Sequence, residues 1–390
     1  MKVVRSKSSF FWRTFVIINF ILLVYNFHRY IFKYNDENTS PTYTNTPLTW
    51  KVLKYVILGF LISVLHFSFK WKRNFNRTAL TVILSFCFWI IMVNLLNYMK
   101  FDFKIDELEA IIWAIILFPL IFLSVDEKIE ISKFYDNYFL PVSYAVIVTN
   151  AIVIFNFYIF GRLPALGYEG SLVRFGGLWD DPNGFGFFSN FLCFISLNKR
   201  KWLIFLLLSV CIFFTVSYTA YLLYLVVILL WGFQGLKLKK TFIRFIIVGF
   251  IGSLFLISFY FEEIKTYILD IYELKSGSLN QHFQTHGKSF YFFPYFNRPF
   301  IFNESWYISF FYNYAPFSIF FLLIFLLLLL KLILRKNKTY IEIYLILFLI
   351  QSAFLPMFSI FPFNVIFFIS LYTSLTFVKE NYITNSLKYS

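Results

Sequence analysis

Long apolar runs separated by short polar segments dominate this chain. In the first part of the sequence the runs lie near 10–32, 52–69, 79–96, 108–124 and 138–160, and each ends in charged or turn-forming residues. A helix needs roughly 20 apolar residues to cross a bilayer. The pattern therefore predicts five membrane-spanning helices before residue 161.

The apolar runs resume after a polar stretch at 161–182. Residues 202–233 are too long for one crossing and have basic residues at both ends, so we expect two short spans with a break at Thr215, Val216 and Ser217. The predicted spans of this half are 182–197, the two within 202–233, 241–261, 305–330, 340–355 and 358–377. We therefore predict an all-α, polytopic integral membrane protein with a single membrane domain, 1–390, and about twelve transmembrane helices.

Composition supports a membrane protein and excludes an ordinary soluble domain. Hydrophobic residues make up 59% of the chain, charged residues only 14%, and the mean hydropathy is +0.71. The net charge of +15 resides in short clusters between spans, which is the distribution that the positive-inside rule produces. We interpret the charge as a topology signal and expect no nucleic-acid partner.

The basic clusters also predict the orientation of the chain. Residues 70–77 and 199–201 are rich in Lys and Arg, so both belong on the cytoplasmic side. Both termini are then cytoplasmic. The segment 161–182 becomes the first functional outer loop, and 262–304 becomes a long extracytoplasmic loop between spans 9 and 10.

The first outer loop contains a candidate anion site. Asp181 can cap a helix that starts at Pro182, where the missing N–H costs nothing. Arg174 lies upstream, and Gly176 and Gly177 would let a phosphate approach the backbone near the positive end of that helix. The alternative is that the glycines only permit a tight surface turn and that Arg174 is solvated.

The long outer loop mixes cations with aromatic residues. It holds His282, His286, Lys288, Arg298 and Glu304, and its sequence from residue 286 is HGKSFYFFPYFNRPFIFNESWY. Aromatic faces suit sugar rings, whereas the same residues are also typical of an interfacial belt that lays the loop on the membrane. Both interpretations are compatible with each other.

We expect neither a metal nor another cofactor. His282 and His286 have helical spacing, but the loop lacks a convincing third ligand. Asp180 and Asp181 are an alternative metal pair, although helix capping accounts for Asp181. The three cysteines lie inside apolar runs and suggest no disulfide framework.

The spans carry almost no charge at mid-membrane, since Arg244 and Glu342 lie near span ends. An ion-coupled transporter usually has ionisable groups near the bilayer midplane. The polar chemistry is instead expected on the outer surface.

Three motifs give the chain its resemblance to a known family. They are VRFGGLWDDPNGFGFF from residue 173, FFTVSYTAYLLYL from residue 213 and NESWYISFFYNYAPFS from residue 303. In this order they resemble the signature motifs of the bacterial O-antigen polymerase and ligase family of membrane glycosyltransferases. The second motif has Ser217-Tyr218 where the family usually has Ser-Arg, and the third has Ala315-Pro316 where glycines are usual. Glu304 stands where ligases of the family tend to have His, which favours a polymerase.

The resemblance implies a polysaccharide polymerase that joins polyprenyl-diphosphate-linked oligosaccharides on the outer face of the bacterial plasma membrane. The expected partners are those lipid-linked oligosaccharides and the bilayer, with a flippase and a chain-length regulator as further candidates. Arg174 would stabilise the diphosphate, and Glu304 or His286 would act as the base. The expected substrate-binding residues are Arg162, Asp181, Asn183, His282, Lys288 and Arg298. The alternatives are an O-antigen ligase, a lipid-linked oligosaccharide flippase or other transporter, and a non-catalytic scaffold.

Overall fold

The structure, a computed structural model, is mostly helical in the part of the chain that it describes. The described residues are 77–101, 131–160, 167–169, 172–177, 182–233, 262, 265–266, 269, 289–301, 303–335, 338–359, 363–364, 366–368 and 370–371. The helices are α1 Arg77–Lys100, α2 Ile131–Phe160, α3 Pro182–Asn198, α4 Trp202–Phe213, α5 Tyr218–Gly232, α6 Pro294–Asn297, α7 Trp306–Asn313, α8 Ser318–Leu334 and α9 Tyr340–Gln351. An all-α fold class is therefore confirmed at this coarse level.

Helix length and hydropathy vary among these elements. Among the described residues, one helical segment, Tyr138–Ile159 within α2, is long and apolar enough by composition to cross a membrane unaided. The apolar parts of α1, α4, α5, α8 and α9 are shorter, between 10 and 17 residues each.

The middle of the chain forms a compact three-helix unit, α3–α5. Helix α3 begins at Pro182 and α4 ends at Phe213. The next helix begins at Tyr218, with Ser217 as its N-cap. The predicted helix start at Pro182 and the predicted break at 215–217 are both confirmed. Val216 has φ of 45° in this break, a left-handed conformation that ends α4 sharply.

The predicted span 305–330 is not one continuous helix. Helix α7 ends at Asn313 and α8 begins at Ser318. Pro316 explains the interruption, because it lacks an N–H and disfavours helical geometry at Ala315 before it. Helix α9 likewise ends at Gln351, before the predicted limit at residue 355.

Aromatic rings fill the core between α7, α8 and the segment after α9. Trp306 stacks on Phe310 with ring centroids 4.5 Å apart and lies 4.1 Å from the ring of Phe358. Phe325 of α8 contacts both Trp306 and Phe358. This packing fixes the start of α7 against the chain that follows α9.

The segment predicted to be the first outer loop also contains two short strands, β1 Gly167–Glu169 and β2 Leu172–Arg174. They pair antiparallel, with Gly167 opposite Arg174. This hairpin was not predicted from the sequence.

Candidate functional site

Arg174 is the last residue of β2, and the residue after it anchors the strand. The Phe175 N–H donates to the Phe214 carbonyl at 3.0 Å. The buried Phe175 ring packs 5.5 Å from Phe157 and 5.8 Å from Phe214. These contacts attach the hairpin to α2 and to the end of α4, so Arg174 is held beside the α4–α5 break.

Gly177 lies in a turn after β2 and packs against Phe185 of α3. Its φ is +58°, and a Cβ built on it would lie 2.5 Å from Cε2 of the Phe185 ring. Glycine tolerates that φ, and it leaves room for the ring. The glycine therefore allows the turn to pack directly on α3.

The Arg174 guanidinium donates to two segments. Its Nη2 lies 3.0 Å from Oδ1 of Asn183, in the first turn of α3. Its Nε lies 3.3 Å from the carbonyl oxygen of Thr215, in the α4–α5 break. The guanidinium is thus positioned between a helix N-terminus and a helix break.

Asn183 Oδ1 is the acceptor on which the site converges. Besides Arg174, it accepts from the Ser217 hydroxyl at 2.5 Å and from the Thr219 hydroxyl at 3.4 Å. Ser217 also caps α5, because its Oγ accepts from the Ala220 N–H at 3.2 Å. One amide oxygen therefore ties together β2, the start of α3 and the start of α5.

Close packing between α3 and α5 fixes the position of one helix relative to the other. Asn190 Nδ2 donates to the carbonyls of Gly186 and Ala220, both at 2.8 Å. A side chain at Gly186 would collide with the Ala220 methyl group. The two helices approach this closely because both residues are small, which brings Ser217 to Asn183.

Gln351, the last residue of α9, extends the cluster toward the C-terminal half. Its Nε2 donates to Thr219 Oγ1 at 3.3 Å. The side chain is 0% exposed, and its Oε1 has no hydrogen-bond partner among the described residues. Thr219 and Ser217 are themselves 3.0 Å apart between their hydroxyls. A continuous polar chain therefore runs from Gln351 to Arg174.

Glu304 is exposed and lies just before α7. The N-cap of α7 is Ser305. The Trp306 N–H donates to the Ser352 carbonyl at 3.0 Å, and the Tyr307 hydroxyl donates to the Leu349 carbonyl at 2.6 Å. The segment that carries Glu304 is consequently fixed to the same end of α9 that carries Gln351.

Arg298 has a different set of partners from Arg174. Its Nη1 donates to the Ser289 carbonyl at 2.6 Å, and its guanidinium lies 4.8 Å and 5.5 Å from the ring centroids of Tyr291 and Tyr312. Partial burial lowers the pKa of Arg298, while the two tyrosines act in the opposite direction. The structure thus does not bring Arg298 into hydrogen-bond contact with the Arg174 cluster.

The remaining predicted site residues lie outside the described residues. They are Arg162, Asp181, His282, His286 and Lys288, together with Asp180 of the alternative metal pair. Within the described ranges, no three His, Cys, Asp or Glu side chains group in a way that would hold a metal ion.

The sequence analysis missed Thr219 and Gln351. Thr219 lies in the broken-helix motif, two residues after the predicted break. The sequence could therefore have indicated that Thr219 lies near Ser217. Gln351 is the one amide in YIEIYLILFLIQ, and a lone amide ending an apolar helix is a usable signal. Tyr218, the first residue of α5, is 44% exposed.

The cluster combines a fixed guanidinium, a helix N-terminus and several hydroxyl groups. A helix N-terminus attracts anions, and an arginine fork binds phosphate oxygens geometrically. The arrangement is chemically suited to holding a phosphate-bearing ligand. The hydroxyl and amide side chains beside it can form hydrogen bonds with hydroxyl groups of such a ligand. No protein-family model, no curated protein and no solved structure matches this chain.

Proposed function

We propose that this protein is a polysaccharide polymerase that joins polyprenyl-diphosphate-linked oligosaccharide repeat units at the outer face of a bacterial plasma membrane. The observation that carries the proposal is the convergence of Arg174, Asn183 and Ser217. These residues come from the two separate motifs that resemble the family signatures, and the third motif is bound to the end of α9 beside them.

Arg174 is the proposed electrophilic group. When the bond between the donor sugar and its diphosphate breaks, negative charge develops on the leaving phosphate oxygen. A preorganised guanidinium near the N-terminus of α3 would stabilise that charge without reorganisation. The Asn183 and Thr215 contacts supply the preorganisation, since they fix the guanidinium before any substrate arrives.

Glu304 is the proposed general base. The hydroxyl of the acceptor sugar must lose its proton as its oxygen bonds to the donor carbon, and an exposed carboxylate at the substrate side can take that proton. The bond formed joins the two glycans, the bond broken releases the lipid diphosphate, and the proton goes to Glu304. The step needs neither a nucleotide sugar nor a redox partner.

Helix lengths support a site that is recessed below the outer surface. Helix α4 has 12 residues and is therefore about 18 Å long. It starts beside the basic residues 199–201, which we assign to the cytoplasmic side. Its far end then lies within the outer half of an apolar layer about 30 Å thick. A diphosphate attached to a membrane lipid can reach that depth. This assignment belongs to the proposed multi-pass topology of about twelve spans with cytoplasmic termini.

Chain extension with purified components tests the proposal. The protein in lipid nanodiscs should convert a purified lipid-linked repeat unit into longer lipid-linked chains without nucleotide sugar, divalent metal or ion gradient. A flippase would leave the chain length unchanged, and a ligase would transfer the glycan once to a different lipid acceptor. Activity that a chelator abolishes and a metal restores would contradict the metal-independent mechanism.

A further inference from the structure

The end of α9 contacts both halves of the proposed site. Its side-chain amide, Gln351, reaches the cluster around Arg174 through Thr219. The backbone carbonyl of Ser352, the residue after Gln351, accepts a hydrogen bond from the Trp306 N–H, which belongs to the segment carrying Glu304. Two groups that are distant in sequence from Arg174 thus meet at one helix end.

The direction of each hydrogen bond shows what Gln351 does. Gln351 Nε2 can only donate, so Thr219 Oγ1 accepts from it and keeps its own proton for another acceptor. Asn183 Oδ1 lies 3.4 Å away and also receives Arg174 Nη2 and the Ser217 hydroxyl. Three donors from two segments, the end of β2 and the start of α5, therefore point at one oxygen, and that oxygen in turn holds the guanidinium of Arg174.

Packing alone does not explain an amide at position 351. The side chain is fully buried at the end of an apolar helix, and no group in the part of the chain that the structure describes donates a hydrogen bond to its Oε1. A buried acceptor without a hydrogen bond carries a desolvation penalty that a leucine would avoid. The favourable contact that the amide gains is the one to Thr219.

We infer that Gln351 is a positioning residue that fixes the Arg174 guanidinium relative to the Glu304 segment through Thr219 and Asn183. The effect that we expect Gln351 to have on turnover rests on the proposed function. The geometric link itself does not depend on which reaction the site performs.

The test combines kinetics with hydrogen exchange on full-length protein in nanodiscs. Gln351→Leu keeps the size of the side chain and removes the donor. We expect its turnover to fall about tenfold, the scale of one lost hydrogen bond, with little change in KM. In an Arg174→Ala background the same substitution should have no further effect, because the two residues act through one path. Additive losses would overturn the inference.

Exchange provides a readout that is independent of catalysis. Gln351→Leu should speed amide exchange in 172–177 and 214–220, whereas the adjacent control Ser352→Ala should not, because it leaves the Ser352 carbonyl in place. Unchanged exchange in these two segments would overturn the inference whatever the activity. If Gln351→Leu does not fold, Thr219→Val removes the same link from the other side and should give the same pattern. If the wild-type protein does not extend the glycan, the proposed function fails, and the exchange result still decides the role of Gln351.

Discussion

Arg174 Nη2 lies 3.0 Å from Asn183 Oδ1, so the cation at the end of β2 is fixed to the first turn of α3. The contact orients the guanidinium by a neutral amide, which places no negative charge of its own beside it. A carboxylate at position 183 would neutralise the charge that an anionic ligand needs. The amide therefore positions the Arg174 guanidinium and does not compete with a phosphate for its positive charge.

Replacement of Arg174 should affect catalysis far more than stability. Arg174→Ala should lower turnover roughly 10²–10³-fold, the scale seen when one donor to a developing negative charge is removed. Arg174→Lys should recover little of it, since an ammonium cannot reproduce a guanidinium fork held by two acceptors. The measurement is single-turnover extension of the lipid-linked glycan. Near wild-type turnover in Arg174→Ala, with loss in Arg298→Ala, would move the anion site to the long loop.

Ser217 has two roles that a matched variant separates. Ser217→Ala removes the N-cap of α5 and the donor to Asn183, so it should cost about 1 kcal/mol of stability and also reduce turnover. Thr339→Ala removes the cap of α9, where Thr339 and Glu342 form a capping box. It should cost a similar free energy of about 1 kcal/mol and leave turnover unchanged. Thermal midpoints and extension rates, measured together, check both. Equal turnover in the two variants would limit Ser217 to capping.

Local signals explain which parts of this arrangement the sequence predicts. Pro182 marks the start of α3, and the pair of basic flanks around 202–233 requires a break, which falls at Thr215–Ser217. The contact between Gln351 and Thr219 joins residues 132 positions apart, and no local pattern specifies such a pairing. Pro316 can be recognised in the sequence as a helix-breaking residue. The predicted span 305–330 nevertheless includes it, because that span was assigned from hydropathy alone. Long-range convergence is set by helix packing, such as the Gly186–Ala220 approach.

A side chain at Gly177 should disturb the turn that presents Arg174. Gly177→Ala combines a positive φ with a collision against Phe185, so we expect a loss of about 1–3 kcal/mol and a lower thermal midpoint. Phe185→Leu in the same protein shortens the colliding ring and should restore the part of the loss caused by the clash. If the double variant is no more stable than the sum of the two single losses predicts, the collision is not the cause.

The proposed orientation predicts where reporters are accessible. Reporters fused after Gly170 and after Lys275 should be extracytoplasmic, and reporters after Lys201 and Lys338 should be cytoplasmic, because the basic clusters set the topology. The measurement uses two reporters at each position, one that is active only in the cytoplasm and one that is active only outside it. A cytoplasmic result at Gly170 would remove Arg174 from the face on which the proposed substrate is polymerised.

Glu304 should be required for chemistry and dispensable for folding. Its side chain is exposed, and backbone contacts, among them the hydrogen bond from the Trp306 N–H to the Ser352 carbonyl, hold its segment in place. Glu304→Gln keeps the shape of the side chain but cannot take a proton, so turnover should fall about 10²–10⁴-fold, the usual contribution of a general base. The thermal midpoint should stay unchanged.

Glu262 is the matched control for this substitution. It is an exposed carboxylate at the other end of the same loop, 3.6 Å from the Lys265 ammonium. An exposed pair of this kind contributes little to stability, and Glu262→Gln should leave both turnover and thermal midpoint unchanged. If both variants lose activity equally, the effect is one of loop charge and Glu304 is not the base. If Glu304→Gln retains activity, the base must come from elsewhere in the loop, and His286 becomes the next residue to replace.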